Sequence, residues 1–297
     1  MFFNNKKTII EEEQIEKEME KVKPEPDSLN WDNVKKDIEI EILAKKYIFL
    51  INYEKNIEEN SPIWVMWYQG IDQAPPIVLS CIQSIIINRA KHPVHIISKY
   101  NLDKYLKLPS YIKEKYNNGT FTTNHFSDII RMGLLFKYGG YWIDSTYFIT
   151  TPLIKINYSF FSLKDRTYKW YMNYFASCKH GFLVTFGYSV FLFYWKKYNS
   201  LIDYFLIDKL VAVAYNKTPE FTKQIDSLPL LNCSTFNLLY ALNGHYDKSK
   251  ICTFNKLSYK KYPGLPYGTW MSYFKYIIDN YKFDFNNTNK NNIILNI

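Results

Sequence analysis

Two short segments of the chain combine residue types that could bind a phosphorylated ligand. Asp128 and Arg131 are three residues apart, so they would share one face of a helix. Asp144 directly follows the apolar residues 141–143, where a short buried strand would end. A carboxylate at a strand end beside a basic helix face suits a divalent cation that bridges a diphosphate, because Mg²⁺ and Mn²⁺ combine carboxylates with phosphate oxygens.

Each fragment also has a purely structural interpretation. The sequence Asp144-Ser145-Thr146 could cap the turn that follows a strand, and Asp128 with Arg131 could form an ordinary salt bridge. Between them lie Gly139 and Gly140, which permit a sharp turn and the close approach of a ligand. Taken together, the three fragments favour a ligand site.

The elements around these residues predict an α/β fold. β-rich residues 63–68 and 94–98 flank an amphipathic helix at 77–88, which makes a strand–helix–strand unit and indicates a parallel sheet. Nucleotides bind at the carboxyl ends of such strands, and residues 67–70 lie at one of them. A polar helix is predicted over 102–116. A second helix is predicted over 126–138, capped by Ser127 and stopped by Gly139-Gly140.

The chain divides into three regions by composition. We expect residues 1–60 to form an accessory helical region that caps the main domain, with one helix from Trp31 to about Tyr53. Residues 61–285 would form the main domain, and the Asn-rich residues 286–297 a flexible tail. Residues 1–60 carry 10 lysines against 15 acidic residues, so the remainder of this +9 chain carries +14. A basic body suits an anionic partner such as a nucleotide diphosphate, a nucleic acid or a membrane surface.

Several classes of protein are disfavoured. No G-x-x-x-x-G-K-[ST] loop or G-x-S-x-G elbow occurs, which argues against an ATPase or an α/β-hydrolase. The lysines are scattered and no nucleic-acid-binding motif occurs, so a nucleic-acid-binding protein is a weaker alternative. The apolar residues 181–195 are too few to cross a membrane and predict a buried helix, with docking on a membrane as the alternative. The four cysteines, none in a C-x-x-C pair, are expected to be reduced thiols in a cytoplasmic protein.

The ordered motifs resemble the capsular polysaccharide synthesis proteins, a branch of glycosyltransferase family 32 with the GT-A fold. The matching segments are Ile63-Trp64-Val65-Met66-Trp67-Tyr68-Gln69-Gly70, Ser127-Asp128-Ile129-Ile130-Arg131, Tyr138-Gly139-Gly140, Ile143-Asp144-Ser145-Thr146 and Leu201-Ile202-Asp203-Tyr204-Phe205-Leu206-Ile207-Asp208. The resemblance covers about residues 61–261. It implies a Rossmann-type, nucleotide-sugar-binding α/β domain with a mostly parallel sheet.

The resemblance also implies roles for individual residues. The catalytic residues would be Asp128, Arg131 and Asp203, with Asp208 as a further candidate. The donor would be bound by Trp67, Gln69, Gly70, Asp128, Arg131, Tyr138, Gly139, Gly140, Asp144, Ser145 and Lys260, with Trp67 stacked on the base. Asp144, Thr146 and Ser258 would hold a divalent cation, Mn²⁺ before Mg²⁺.

The expected activity is retaining transfer of a sugar from a nucleotide-diphosphate sugar, with a UDP-sugar favoured. The acceptor would be a saccharide or a lipid-linked saccharide in capsular or other surface polysaccharide synthesis. The chain would work in the cytoplasm, with the inner face of the membrane as a further location. Thr146 stands where a D-x-D motif has its second acid, and a hydroxyl is a weaker metal ligand than a carboxylate. This departure keeps open a catalytically inactive, carbohydrate-binding or scaffolding relative.

Overall fold

The structure is a computed structural model that describes residues 17, 19, 21–23, 29–43, 56–260, 271–285 and 293–294. Helices within these ranges are α1 (Trp31–Leu43), α2 (Pro76–Ile87), α3 (Leu102–Tyr105), α4 (Ser110–Asn117), α5 (Thr123–Tyr138), α6 (Phe182–Lys197), α7 (Leu206–Lys217), α8 (Pro219–Asp226), α9 (Asn237–Ala241) and α10 (Tyr273–Asn280). Strands are β1 (Ile63–Met66), β2 (Val94–Ile97), β3 (Gly140–Ile143), β4 (Tyr147–Ile149), β5 (Phe160–Ser162), β6 (Tyr174–Ser177), β7 (Phe254–Lys256) and β8 (Ile293–Ile294).

A mixed, mostly parallel sheet organises the fold, in the order β5-β6-β3-β1-β2-β8. β1 runs parallel to both β2 and β3, and β8 runs parallel to β2. β6 is antiparallel to β3 and to β5. β4 and β7 form a separate antiparallel pair. The predicted α/β class and mostly parallel sheet are confirmed.

Each face of the sheet is covered by its own apolar core, as expected of a parallel sheet between layers of helices. Strand residues alternate between the two faces. Trp64 and Met66 of β1 pack into the core that contains α5, α6 and α7, whereas Ile63 and Val65 pack into the core that contains α2 and β4. All four residues of β1 are buried, and β1 lies between β3 and β2 in the sheet.

The N-terminal helix α1 is part of the main core. Val34 and Ile38 are each 1% exposed and belong to the same core as α6 and α7. Asp37 accepts hydrogen bonds from Lys197 Nζ at 2.8 Å and from Tyr198 Oη at 2.6 Å. The helix is therefore more than the solvated cap expected from its composition. The predicted extension of α1 to about Tyr53 lies outside the described residues.

Local predictions held in part. The helix predicted over 102–116 is two helices, because Pro109 lacks an amide hydrogen and restricts the residue before it. The predicted Ser127 cap is wrong: α5 begins at Thr123, and Ser127 lies buried inside it. Gly139 does end α5. Of the predicted tail, β8 pairs with β2, while residues 286–292 and 295–297 lie outside the described part of the chain.

The prediction that all four cysteines are thiols is wrong for one pair. Cys233 and Cys252 form a disulfide, with Cα atoms 6.5 Å apart. Their separation of 19 residues gives no sequence motif by which the pair could be recognised. Cys81 and Cys178 are buried thiols.

The apolar helix α6 is a core element. All but three of its residues are buried, including Phe186, Phe191 and Trp195, and it packs along α5. Its apolar side chains are therefore already covered by protein, which contradicts the alternative in which α6 docks on a membrane. Across the described residues, we find no helix with the length and apolar character needed to span a bilayer.

Candidate functional site

The site is built at the edge of the sheet where β1, β2 and β3 end, called here the carboxyl edge. Asp144 follows the last residue of β3, and its backbone amide donates to Asn173 O at 3.0 Å. Tyr147 N donates to Asp144 O at 2.9 Å, which closes a tight turn before β4. This turn presents the Asp144 carboxylate at the position where parallel sheets bind ligands.

Arg131 links helix α5 to Asp144. Its Nη2 lies 3.1 Å from Asp128 Oδ1 and 3.6 Å from Asp144 Oδ1. The guanidinium is also anchored elsewhere: Nη1 donates to Met172 O at 2.6 Å and Nη2 to Ser127 Oγ at 2.7 Å. Its central carbon lies 5.0 Å from the centre of the Trp142 ring. So many contacts fix the guanidinium in one orientation beside both carboxylates.

Lys256 is the second cation of the site. Its Nζ lies 2.6 Å from Asp144 Oδ2 and 2.6 Å from Thr146 Oγ1. Pairing of β7 with β4 sets this position, because Lys256 stands opposite Tyr147 in the register. Leu257 N donates to Thr146 O at 2.9 Å and holds the end of β7 against the turn.

Asp144 is held in its ionised form. Burial by itself would raise its pKa, but Lys256 and Arg131 outweigh burial and lower the pKa below its ordinary value. Hydrogen bonds from Lys256 and from Trp142 Nε1, the latter at 2.8 Å, act in the same direction. Asp144 can therefore serve as a permanent anion that orients cations or accepts hydrogen bonds from ligand hydroxyls.

Asp128 behaves differently, although both carboxylates contact the same arginine. Burial raises its pKa to about 7; Arg131 lowers it, while Asp144 and Asp208 raise it further. The carboxyl group can therefore exist in either protonation state near neutral pH. Two neighbouring carboxyl groups with opposite pKa shifts are typical of functional sites.

Asp208 of α7 completes the charged cluster. Its pKa is raised by burial, and lowered in part by Arg131 and by the hydrogen bond from Trp170 Nε1 at 3.2 Å. It is thus electrostatically coupled to α5. Asp203, by contrast, accepts a hydrogen bond from Phe205 N at 2.8 Å and pairs with Lys209 Nζ at 3.3 Å, which places it at the start of the turn into α7. No contact among the described residues joins Asp203 to Asp144.

Trp67 lies just past the end of β1 at the same carboxyl edge. Its ring meets that of Tyr259 edge to face, with centres 5.2 Å apart. Its Nε1 is buried and has no hydrogen-bond partner among the described residues. A buried indole N–H of this kind is costly unless a ligand or water accepts from it. The structure thus leaves one polar atom of Trp67 unsatisfied by the described residues.

The remaining residues near the end of β1 shape the turn. Gly70 has φ of 109°, and a Cβ there would lie 2.6 Å from Asp72 Oδ1. Gln69 is exposed in the turn. The backbone therefore requires glycine at position 70 whether or not a ligand is bound.

Tyr138, Gly139 and Gly140 lie at the opposite edge of the sheet from Asp144. Gly139 O accepts from Trp64 Nε1 at 3.0 Å, and Tyr138 Oη donates to Tyr105 O at 2.9 Å. A Cβ at Gly140 would lie 2.1 Å from Pro62 O. These positions give the three residues a packing role at the start of β3, and the structure does not bring them to the cluster.

The late segment after β7 contributes the remaining residues named from the sequence. Ser258 Oγ accepts from Lys260 N at 3.2 Å, and the exposed Lys260 has its Nζ 5.8 Å from the Tyr259 ring centre. Ser145 is buried in the Asp144 turn. Lys261, the next basic residue, lies outside the described residues.

The residues at Asp144 do not fit a divalent cation. The two oxygens that a D-x-T motif would offer, Asp144 Oδ2 and Thr146 Oγ1, are both bonded to the Lys256 ammonium. A second positive charge between them would be repelled by that ammonium. In the part of the chain that the structure describes, there is no group of three or more His, Cys, Asp or Glu side chains placed to hold a metal.

Sequence reasoning missed three partners of the cluster. Lys256 comes from a strand more than 100 residues after Asp144, Trp142 was assigned only to a short buried strand, and Met172 takes part only through its carbonyl. The one usable signal was for Lys256, since it lies close in sequence to Ser258 and Lys260, which the resemblance assigns to the metal and to the donor. Its pairing with Tyr147 could not be deduced.

The chain matches known proteins at the level of a family. A family model described as "Capsular polysaccharide synthesis protein" matches residues 11–266. A curated relative, the "O-glycosyltransferase braB" of Annulohypoxylon truncatum, is 29% identical over 107 residues. That match covers 31% of this chain and 24% of the relative, so the chain spans only about a quarter of that protein.

Two solved structures share a distant likeness. One, the structure of a transferase mutant with two cysteine-to-serine changes, has a TM-score of 0.39 and 12% identity, over 58% of this chain and 93% of its own. The other, "PaToxG Glycosyltransferase", has a TM-score of 0.38 and 13% identity, over 65% of this chain and 81% of its own.

Proposed function

Because this chain belongs to the capsular polysaccharide synthesis protein family, we propose that it is a glycosyltransferase that uses a nucleotide-diphosphate sugar. The single observation that carries this proposal is the convergence at Asp144. A helix cation, Arg131, and a strand cation, Lys256, meet on one carboxylate at the carboxyl edge of a parallel sheet. Two cations at such an edge form an anion-binding site suited to a diphosphate.

The base of the donor would bind at Trp67. This residue lies at the same edge as Asp144, and its buried Nε1 has no partner among the described residues. An indole can both stack on a base and donate to a base carbonyl. A uracil base offers carbonyl acceptors and a small ring, which favours a UDP-sugar as the donor.

The sugar would lie between Trp67 and the carboxyl groups of α5 and β3. Asp128 and Asp144 can accept hydrogen bonds from sugar hydroxyls, while Arg131 holds them in place. In the transfer, the bond between sugar C1 and the diphosphate oxygen breaks and the diphosphate takes the electron pair. The acceptor oxygen then bonds C1 on the same face, and its proton passes to the diphosphate. The protein stabilises the leaving anion and positions both substrates.

The acceptor side would be formed by α7. Asp208 is coupled to Arg131, and Tyr204 and Phe205, which are 56% and 60% exposed, come just before it in the chain. Exposed rings pack well on the apolar faces of sugars. We propose a saccharide acceptor, free or lipid-linked, in capsular or other surface polysaccharide synthesis.

A donor screen tests the proposal. The purified full chain is incubated with UDP- and GDP-sugars, with and without Mn²⁺, and the released nucleotide diphosphate is measured. We expect one donor to be turned over, with a loss of about 100-fold or more in Asp144→Ala, because a preorganised charged group at the reacting centre contributes at this level. Asp103→Ala is the matched control, since Asp103 is an exposed carboxylate paired with Lys113 at the surface.

The outcome also separates a second candidate, a binding protein without turnover. Thr146 in place of the second acid is the observation that favours it. Binding of a nucleotide sugar that depends on Asp144, without product from any donor and acceptor, would support the binding protein. If the chain binds none of the nucleotide sugars and releases no nucleotide diphosphate from any of them, the site assignment itself is refuted.

A further inference from the structure

We propose that Lys256 is a built-in cation that replaces the divalent metal of the D-x-D motif, so that its ammonium group neutralises the leaving diphosphate without Mn²⁺ or Mg²⁺. This inference rests on the proposed function, since the anion assigned to Lys256 is that diphosphate. It departs from the metal-dependent reaction expected from the sequence.

The position of Lys256 carries the first step. Its Nζ is 2.6 Å from both Asp144 Oδ2 and Thr146 Oγ1, the two oxygens that this motif would offer to a metal. These are short, charge-assisted contacts. An ion can enter only if it displaces an ammonium that is already paired with the carboxylate.

The residue type at position 146 carries the second step. A carboxylate at position 146 would place two acids beside Lys256. The neutral Thr146 leaves Asp144 as the one acid that Lys256 contacts. The hydroxyl is also a good acceptor for an ammonium hydrogen but a weaker ligand for a hard divalent cation. Thr146 and Lys256 are thus matched to each other, and neither is matched to a metal.

The geometry also leaves Lys256 able to contact a ligand. An ammonium group has three donors, and the hydrogen bonds to Asp144 and Thr146 use two of them. The side chains of Lys256 and Asp144 are 17% and 23% exposed, so a ligand can reach this pair at the carboxyl edge. Arg131 lies on the other oxygen of Asp144. A diphosphate would therefore meet two cations fixed by one carboxylate.

The rigidity of this arrangement distinguishes it from a surface ion pair. Lys256 belongs to β7, which is paired with β4 directly after the Asp144 turn. Its Nζ also lies 5.5 Å from the Tyr147 ring centre. A cation held by strand pairing needs little reorganisation when negative charge develops on a leaving group.

The experiment measures metal binding and nucleotide binding separately on the full chain. Mn²⁺ is titrated into the wild type and followed by the electron paramagnetic resonance signal of the unbound ion. UDP binding is then measured by calorimetry in EDTA and in Mn²⁺. The variants are Asp144→Ala, Lys256→Ala, Lys256→Arg, and Thr146→Asp combined with Lys256→Ala. Lys91→Ala is the matched control, because the Lys91 side chain is 76% exposed and paired with Glu59 at the surface.

We expect the wild type to bind no Mn²⁺ that depends on Asp144, and to bind UDP equally in EDTA and in Mn²⁺. Lys256→Ala should weaken UDP binding in EDTA by roughly tenfold to a hundredfold, the loss of one charged hydrogen bond. Lys256→Arg should retain metal-independent binding, and the double variant should gain Mn²⁺ binding. If Lys256→Ala fails to fold, the Mn²⁺ titration of the wild type and the UDP binding of Lys256→Arg still test whether Lys256 replaces the metal.

Two results would overturn the inference, and they differ from each other. Mn²⁺ binding by the wild type that is lost in Asp144→Ala, with UDP binding that requires the metal, refutes the lysine replacement alone and leaves the proposed function standing. No UDP or UDP-sugar binding in either condition refutes the diphosphate role together with the proposed function.

Discussion

Replacing Asp128 with asparagine should remove a pH-dependent loss of stability. Burial raises the pKa of Asp128 from 3.8 to about 7, so the native chain retains a proton there that the unfolded chain has lost. The stability of the native state must then fall as the pH rises between these two values, because unfolding releases a proton. Above about pH 7 both states are ionised and no further loss occurs.

The magnitude follows from the two pKa values. Relative to low pH, linkage lowers the free energy of unfolding by roughly 1.5 kcal/mol at pH 5 and by roughly 4 kcal/mol at pH 8, because the unfolded chain releases the Asp128 proton first. The wild type should therefore lose about 2 to 3 kcal/mol more than Asp128→Asn between pH 5 and pH 8. An asparagine keeps an oxygen that can accept from Arg131 Nη2, which lies 3.1 Å from Asp128 Oδ1, so the packing is preserved.

Urea unfolding of both proteins at pH 5 and pH 8 measures this difference, provided that both unfold in one cooperative transition. Other titrating groups affect the two proteins alike and largely cancel. Asp103→Asn, which changes an exposed carboxylate paired with Lys113, is the control for loss of one surface charge. A stability difference between Asp128→Asn and the wild type that is the same at both pH values would refute the assignment of a raised pKa to Asp128.

Two further substitutions and one labelling experiment test other parts of the structure. Trp142→Phe should destabilise the fold by about 1.5–3 kcal/mol in urea unfolding, because it removes the indole hydrogen bond to the charged Asp144; an unchanged unfolding free energy would contradict that bond. Gly140→Ala should lower the free energy of unfolding by at least about 2 kcal/mol. An added Cβ would lie 2.1 Å from Pro62 O, and the backbone φ of 99° disfavours a side chain. A variant as stable as the wild type would show that Pro62 O lies further from residue 140. Alkylation of the urea-unfolded chain without reductant should label Cys81 and Cys178 but spare Cys233 and Cys252, as read by mass spectrometry, whereas labels on all the cysteines would contradict the disulfide.

Local sequence patterns were sufficient to predict the fold class and the part of the site formed by Asp128, Arg131 and Asp144. The alternation of strand and helix from residue 63 to 98 was sufficient to predict a parallel sheet, because each unit is contiguous in sequence. Asp128, Arg131 and Asp144 lie within 17 residues of each other. A helix, a glycine turn and a strand between them leave few ways to arrange the three side chains other than together.

Contacts between distant segments could not be predicted in the same way. Lys256 reaches Asp144 only because β7 pairs with β4, two strands of three residues each with no strong pattern of their own. The resemblance assigned Tyr138, Gly139 and Gly140 to donor binding. They lie at the start of β3, whereas Asp144 follows its end. Asp203 was named as catalytic and Asp208 as a further candidate from one and the same motif, and only the burial of α7 shows which of the two couples to Arg131.

The packing of α1 on α7 has a consequence for how the protein is shortened or altered. Trp31 lies under Lys209 Nζ, which is 4.7 Å from its ring centre, and Lys209 is the neighbour of Asp208 in the chain. The N-terminal helix α1 thus packs against α7, the helix that carries Asp208 of the charged cluster. Deletion of α1 would remove that packing, so changes in α1 can shift α7 and Asp208 although α1 carries no member of the charged cluster. The N-terminal helix and the helices α6 and α7 therefore belong to one packed core.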